Sequence, residues 1–308
     1  MILLWGPIND QPLEYVKREL DRLNEPYFLI DQHKILDYEI RLVVSSSINE
    51  AYIKNKDRII DLKEIHSVYL RPHDSTQVDC IVNEGVDSDA FRHAVYFDEI
   101  MYTWLELTDC FIINKLSDMA SNSSKPYQTE LIRQIGMKTP KTILSTDKKE
   151  VKKFHKTHKQ IIYKSMSGIR SIISKLDENA YDRLENIKWC PTQFQEYIKG
   201  VDYRVHVVKD TVFSCKIETD TDDYRYSTKQ GGFTKITVAK IPNEIKEVCI
   251  KISQILGLTV VGIDLRKTAD GAWYCFEANP SPGFSYYEAH TGLPIANAIA
   301  KLLIYSST

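Results

Sequence analysis

Two apolar runs late in the chain constrain it most. VVGIDLR places Asp264 near the end of a β-branched strand, and WYCFEAN places Glu277 and Asn279 two positions apart at the end of the next. Residues i and i+2 of a strand point to the same face, so Asp264, Glu277 and Asn279 are expected to converge across two adjacent strands. Three oxygen donors in that arrangement suit magnesium, which takes a few protein ligands together with substrate phosphates. Solvated acids at a polar sheet edge are the plainer reading of the same residues. The NPSPGF turn that follows, with Ser281 and Gly283, favours the metal reading, because a turn rich in proline and glycine exposes backbone N–H groups to an anion.

The rest of the chain alternates strand-like and helical segments. Over the first hundred residues a strand from Ile2 to Trp5, a helix with apolar spacing at Leu13, Val16, Leu20 and Leu23, and a strand from Tyr27 to Ile30 predict a parallel sheet with helices on its faces. Further strands are expected at 40–44, 51–53 and 67–70, then a long amphipathic helix from about Ala90 to Leu107. A strand at 111–114 leads into a polar linker, SDMASNSSKP, and a helix starting at Lys125 or Pro126 with Ser124 as its N-cap. Strands and helices then alternate to a last helix from about Pro294 to Tyr305.

Cations and small residues mark a second region. Lys125 lies in SNSSKPYQ, and Lys164 ends the apolar strand IIYK. A lysine facing inward at a strand end is a point charge for phosphate, although most lysines of a lysine-rich chain are simply solvated. SMSGIRS follows Lys164 directly, and Ser167, Gly168 and Arg170 give it the make-up of a loop whose N–H groups fold over phosphates. It is neither a Walker A loop nor a Rossmann fingerprint. Downstream, FQEYIKGVDYR sets a strand with one exposed edge, Thr192 to Tyr197, before Gly200, Asp202 and Arg204. Such an edge can offer backbone groups to a planar heterocycle, with Asp202 on a ribose diol and Arg204 on a phosphate or carboxylate. A surface hairpin explains the stretch equally well. ETDTDDYRYS, with Arg225, is a substrate loop or a polar connector. His155 and His158 belong to a solvated basic face, and His206 is a packed mid-strand histidine.

Composition removes several classes of function. Forty basic residues against 42 acidic ones leave a net charge of -2, with no bulk attraction to nucleic acid or anionic membranes. The six cysteines are scattered without a CxxC pair, which argues against zinc and against a disulfide framework. No run nears the roughly 20 apolar residues that span a bilayer, and a cytoplasmic protein is expected. No GxSxG, HExxH or Cys/His nucleophile arrangement is present.

In this order the pieces resemble the ATP-grasp superfamily, in the branch of RimK-type glutamate ligases, glutathione synthetase and the graspetide or microviridin-type ligases that macrocyclise ribosomal peptides. GIDLR with FEANPSPGF carries most of the resemblance, QEYIKGVDYR less and the lysine loop least; it covers about Asn114 to Ala300. It implies an α/β (α+β) ATP-grasp fold: a pre-ATP-grasp domain over 1–112, a small central lid over 113–192 and a C-terminal subdomain over 193–308. It makes Lys125 and Lys164 the phosphate lysines, with Ser167, Gly168 and Arg170 in a phosphate loop poorer in glycine than is usual. Gln195, Glu196, Tyr197 and Ile198 become the adenine hinge, with backbone of Glu196 and Ile198 on the base, and Asp202 the ribose acid. Asp264, Glu277 and Asn279 become the magnesium ligands, and Arg204, Arg225 and Asn279 the catalytic groups. Arg71, Arg266, Ser281 and Gly283 are expected at the substrate. ATP with Mg2+, or Mn2+ in its place, is the implied cofactor. The implied reaction joins an amino-acid or peptide carboxylate to an amine or hydroxyl through an acyl phosphate. A ribosomal precursor peptide, docking near YLRPHD, is one candidate partner; a non-catalytic ATP-binding module is the other class of protein considered. A dimer or tetramer is expected.

Overall fold

The structure is a computed structural model that describes residues 1–56, 58–165, 174–190, 192–219 and 233–306. The first unit runs β1 (Ile2–Gly6), α1 (Gln11–Arg22), β2 (Tyr27–Asp31), β3 (Glu39–Val44), β4 (Ile48–Lys54), β5 (Ile59–Asp61), β6 (Ser67–Leu70), α2 (Asp79–Val82), α3 (Asp89–Leu107) and β7 (Phe111–Ile113). Its main sheet is parallel in the order β2-β1-β6-β7, as the strand–helix–strand pattern predicts, and β3-β4-β5 form a small antiparallel sheet beside it. Helix α1 starts where it does because Asp10 caps it, accepting a hydrogen bond from the Leu13 amide, with a proline in its first turn. Its buried face is Leu13, Val16 and Leu20.

The expected linker is structured instead, as α4 (Leu116–Met119) and a 3-10 turn over Ala120–Ser123. Ser124 stands at the N-cap of α5 (Lys125–Gln134), but its side chain makes no capping bond. Then follow β8 (Thr142–Ser145), α6 (Lys148–His158), β9 (Ile161–Ser165), β10 (Ser174–Lys175), α7 (Glu178–Asp182) and β11 (Thr192–Glu196). These strands form an antiparallel sheet, β10-β9-β11-β8. The division at 192/193 anticipated from the sequence therefore falls at the head of a strand of this sheet. Helix α5 packs away from it, through Ile132, in the core of the unit that follows.

The third unit comprises β12 (Val201–Val208), β13 (Thr211–Thr219), β14 (Thr234–Val238), α8 (Asn243–Ile255), β15 (Val260–Lys267), β16 (Trp273–Asn279), α9 (Ser285–Thr291) and α10 (Ile295–Tyr305). Its sheet is antiparallel, β14-β13-β12-β15-β16. One core joins the first unit to the third: Ile2, Leu4, Leu13, Val16 and Leu20 pack with Val260, Phe284, Ile295, Ile299 and Leu303. Each such side chain contributes about 1.5–3 kcal/mol when fully buried. Polar contacts reinforce the seam. Ser67 Oγ donates to the Leu303 carbonyl at 2.6 Å. The buried Asn114 carboxamide donates to the carbonyls of Val260 and Pro280, both at 2.7 Å, and accepts from the amides of Thr259 and Val260.

Candidate active site

The register of β15 on β16 places Asp264 opposite Glu277 and Gly262 opposite Asn279. On the other side of β15, Arg204 of β12 stands opposite Asp264. Directly opposed residues share a face, so Arg204, Asp264 and Glu277 meet on one surface of the sheet, with Asn279 one step along it. A β-bulge between Asp264 and Leu265 interrupts the register beside the acids, a common device next to active sites.

Cations from separate elements meet these acids. Lys125, at the start of α5, brings Nζ to 2.5 Å from Glu277 Oε1 and donates to Asn122 Oδ1 at 2.5 Å. Arg204 Nη1 donates to Asp264 Oδ1 at 2.7 Å. Burial acts to raise the Glu277 pKa, but the charge and hydrogen bond of Lys125, joined by the charges of Lys164 and Arg204, hold the carboxyl below its ordinary value. Lys164 lies on β9 opposite Gln193, so its charge acts on Glu277 from the β10-β9-β11-β8 sheet. Arg204 is buried against the Tyr287 ring, 5.6 Å from its centroid, and its Nε donates to His206 Nε2 at 3.4 Å. A Cβ at Gly262 would overlap this guanidinium and come within 2.7 Å of Pro282 Cβ, which is why β15 carries a glycine there. His206 is packed as anticipated, with a pKa pushed well below its usual value by burial and by the Arg204 charge; its buried Nδ1 has no hydrogen-bond partner among the described residues.

The donor set can be tested against a metal. Two carboxylates and one carboxamide share the corner, and Asn279 Oδ1 already accepts the Ser281 amide at 2.9 Å. Among the described residues no three His, Cys, Asp or Glu side chains are grouped to hold an ion. Oxygen donors alone, too few to enclose a cation, fit one that brings phosphate and water with it, as magnesium does.

The hinge departs from expectation in one respect. β11 is an inner strand between β9 and β8, not an exposed edge. The Glu196 amide donates to the Lys141 carbonyl at 2.9 Å, its carboxylate accepts the Lys141 amide, and the Tyr197 amide donates to Gln160. Gln195 is buried in the sheet. The chain leaves the ladder only at Ile198, whose carbonyl accepts from Arg266 Nη1 at 2.8 Å. Arg266 also forks onto Asp202, Nε to Oδ1 at 2.6 Å and Nη2 to Oδ2 at 2.9 Å. Arg266, anticipated at the substrate, thus braces the hinge.

Arg71 and Ser281 do meet, with Arg71 Nη1 2.5 Å from Ser281 Oγ, while Gly283 borders open space. Ser167, Gly168, Arg170 and Arg225 lie outside the described residues. Four residues of the site were not anticipated: Asp10, which holds Arg71; Asn122, which holds Lys125; Asn114; and Gln128, whose buried carboxamide clasps both backbone groups of Ala278 between Glu277 and Asn279, at 2.7 and 3.0 Å.

An acid corner on one antiparallel sheet, touched by Lys125 and under the charge of a lysine on another sheet, suits the phosphates of a nucleotide, and the chain is an ATP-grasp ligase. The model of the RimK-like ATP-grasp domain matches residues 122–303, and the chain belongs to that family. Among its relatives, the coenzyme gamma-F420-2:alpha-L-glutamate ligase of Methanococcus maripaludis is 26% identical over 269 residues, covering 81% of this chain and 93% of the relative. Two solved structures share the fold along the whole chain. The ATP-grasp ligase PsnB, complexed with a phosphomimetic variant of its minimal precursor, Mg and ADP, superposes with a TM-score of 0.83 at 24% identity, covering 100% of this chain and 98% of that one. The macrocyclase MdnC of Microcystis aeruginosa MRC, bound with precursor peptide MdnA, gives 0.81 at 21% identity over 98% and 99%. No helix among the described residues is long and apolar enough to cross a membrane.

Proposed function

We propose that the chain converts a peptide-borne carboxylate to its acyl phosphate and joins it to an amine or hydroxyl. The observation that carries this reading is the convergence of Lys125, Lys164 and Arg204, from three separate elements, on the acids Glu277 and Asp264. Lys125 and Lys164 are suited to holding the nucleotide phosphates, the hinge around Ile198 to holding the base, and Asp202 to holding the ribose. Asp264, Glu277 and Asn279 would hold magnesium, or manganese in its place, which neutralises charge on the phosphates. Arg204, fixed by Asp264 and the Tyr287 ring, is suited to face the place where charge builds on the transferred phosphoryl group.

In the first step a substrate carboxylate oxygen attacks the γ-phosphorus, the bond from that phosphorus to the β–γ bridging oxygen breaks, and ADP leaves. In the second, the nitrogen or oxygen nucleophile attacks the acyl carbon, the carbon–oxygen bond to phosphate breaks, phosphate leaves, and the nucleophile's proton passes to solvent. No nucleophile from the protein is required.

Fold likeness to two ligases with precursor peptides, extending through the first unit as well as the ATP-grasp region, supports the peptide substrate. The M. maripaludis relative supports a second reading, addition of free glutamate. One experiment separates them. The protein is incubated with ATP and Mg2+ and either acidic peptides containing Ser, Thr and Lys, or free glutamate with an acceptor. ADP release with loss of water inside one peptide marks a macrocyclase; a glutamate mass added to the acceptor marks a glutamate ligase. Release of AMP and pyrophosphate would contradict the acyl-phosphate route.

A further inference from the structure

We infer that Asp10, Arg71 and Ser281 form a positioning device through which the first unit fixes Asn279 of the third. The inference rests on the proposed role of Asn279 as a metal ligand. It starts from the topology: β1 and β6 are neighbours, and from β1 the chain passes through α1 to β2 on one side, while β7 lies on the other side of β6. The loops leaving β1 and β6 thus flank the switch point of a parallel sheet, where such sheets build their sites. The loops touch backbone to backbone. The Arg71 amide donates to the Trp5 carbonyl at 2.8 Å, and a Cβ at Gly6 would come within 2.9 Å of the Arg71 carbonyl oxygen.

The resemblance places Arg71 at the substrate; in the structure its guanidinium is engaged by protein partners. The side chains of Arg71 and Asp10 are only 10% and 11% exposed. Asp10 takes Arg71 Nε at 3.0 Å and Nη2 at 2.9 Å while also capping α1. The Arg71 charge is therefore matched inside its own unit, and a substrate carboxylate placed there would face Asp10. What remains, Nη1, crosses to the third unit and donates to Ser281 Oγ at 2.5 Å and to the Pro282 carbonyl at 3.4 Å.

Ser281 is the residue whose amide holds Asn279 Oδ1. The preceding Pro280 carbonyl is held by Asn114. The turn that aims Asn279 is thus propped from two sides by residues outside the third unit, and Arg71 is the charged prop, a positioning residue that the paired Asp10 keeps pointed across the seam.

The test measures ADP affinity by calorimetry with Mg2+ and again in EDTA, for the wild type, Ser281→Ala and Arg71→Lys. Arg71→Lys retains a cation beside Asp10 but lacks the fork that serves both partners. Both variants are expected to bind Mg2+ with ADP at least about fivefold more weakly, the scale of one lost hydrogen bond, while ADP affinity in EDTA and the ligand-free Tm stay at wild-type values. A wild-type ratio of the two affinities in both variants overturns the inference, as does a parallel fall in both affinities and in Tm, which marks a merely structural contact. Absence of any Mg2+ gain in the wild type overturns the reading of Asn279 itself, a result distinct from the other two.

Discussion

Glu277 is the acid on which the site's charges converge, and its environment makes two predictions. Glu277→Gln removes the charge that Lys125 and a metal share; ATP turnover is expected to fall by about a hundredfold or more with far-UV circular dichroism unchanged, and wild-type turnover would sink the assignment. The second concerns acid stability. The folded pKa of Glu277 is lowered, against burial, by Lys125 and by the charges behind it. A lowered carboxyl supplies stability that is fully present above its unfolded value and is lost as pH falls through the folded one. Urea unfolding as a function of pH should therefore show a shallower acid limb in Glu277→Gln. His206 acts over a higher window. Its folded pKa is depressed by burial and by Arg204, so the unfolded chain binds the proton first and stability declines as pH drops below about 6.5. His206→Gln, which keeps an acceptor for Arg204, should flatten that decline; an unchanged slope would show that His206 does not contribute. At this scale Asp264, Glu277 and Asn279 were legible because strand alternation is a local rule. Gln128 and Asp10 were not, because their partners lie 150 and 61 residues away and nothing in a single sequence links them.

Among the elements, β15 and β16 were readable nearly to their ends, since each is a β-branched or aromatic run closed by turn residues. α2, β5, α7, β14 and α9 were missed: they are short, and β5 and β14 sit among charged residues where the period-2 signal fades. The exposed hinge edge was wrong for a different reason, because which strands flank β11 is decided by tertiary pairing. The junction of α5 with β16 gives a prediction of its own. Gln128→Leu leaves the Ala278 amide and carbonyl buried without their partner, at about 1–3 kcal/mol for each group, and should lower the urea midpoint while weakening Mg2+-dependent nucleotide binding. Gly262→Ala tests β15. Its Cβ would displace the Arg204 guanidinium, so turnover should collapse at near-normal nucleotide affinity; a fully active variant would show that Arg204 need not lie where the structure places it.

For the molecule as a whole, the core shared by the first and third units predicts cooperative behaviour. Leu303 is fully buried in it, and Leu303→Ala should cost about 2–5 kcal/mol. Calorimetry should show the units that share this core melting together; separate transitions for 1–113 and the remainder would contradict it. The first hundred residues read as a small α/β unit, and its parallel sheet is indeed there. What the sequence could not show is that α10 packs against α1 and β6 as part of that unit's covering. The consequence reaches back to biosynthesis. β1, α1 and β6 leave the ribosome more than 200 residues ahead of Ile295–Tyr305, the helix that seals them. Until that helix emerges Ile2, Leu4 and Leu20 lack the side chains that bury them, so a chain truncated before Ile295 is expected to present an apolar face and to bind a hydrophobic dye that the intact protein does not.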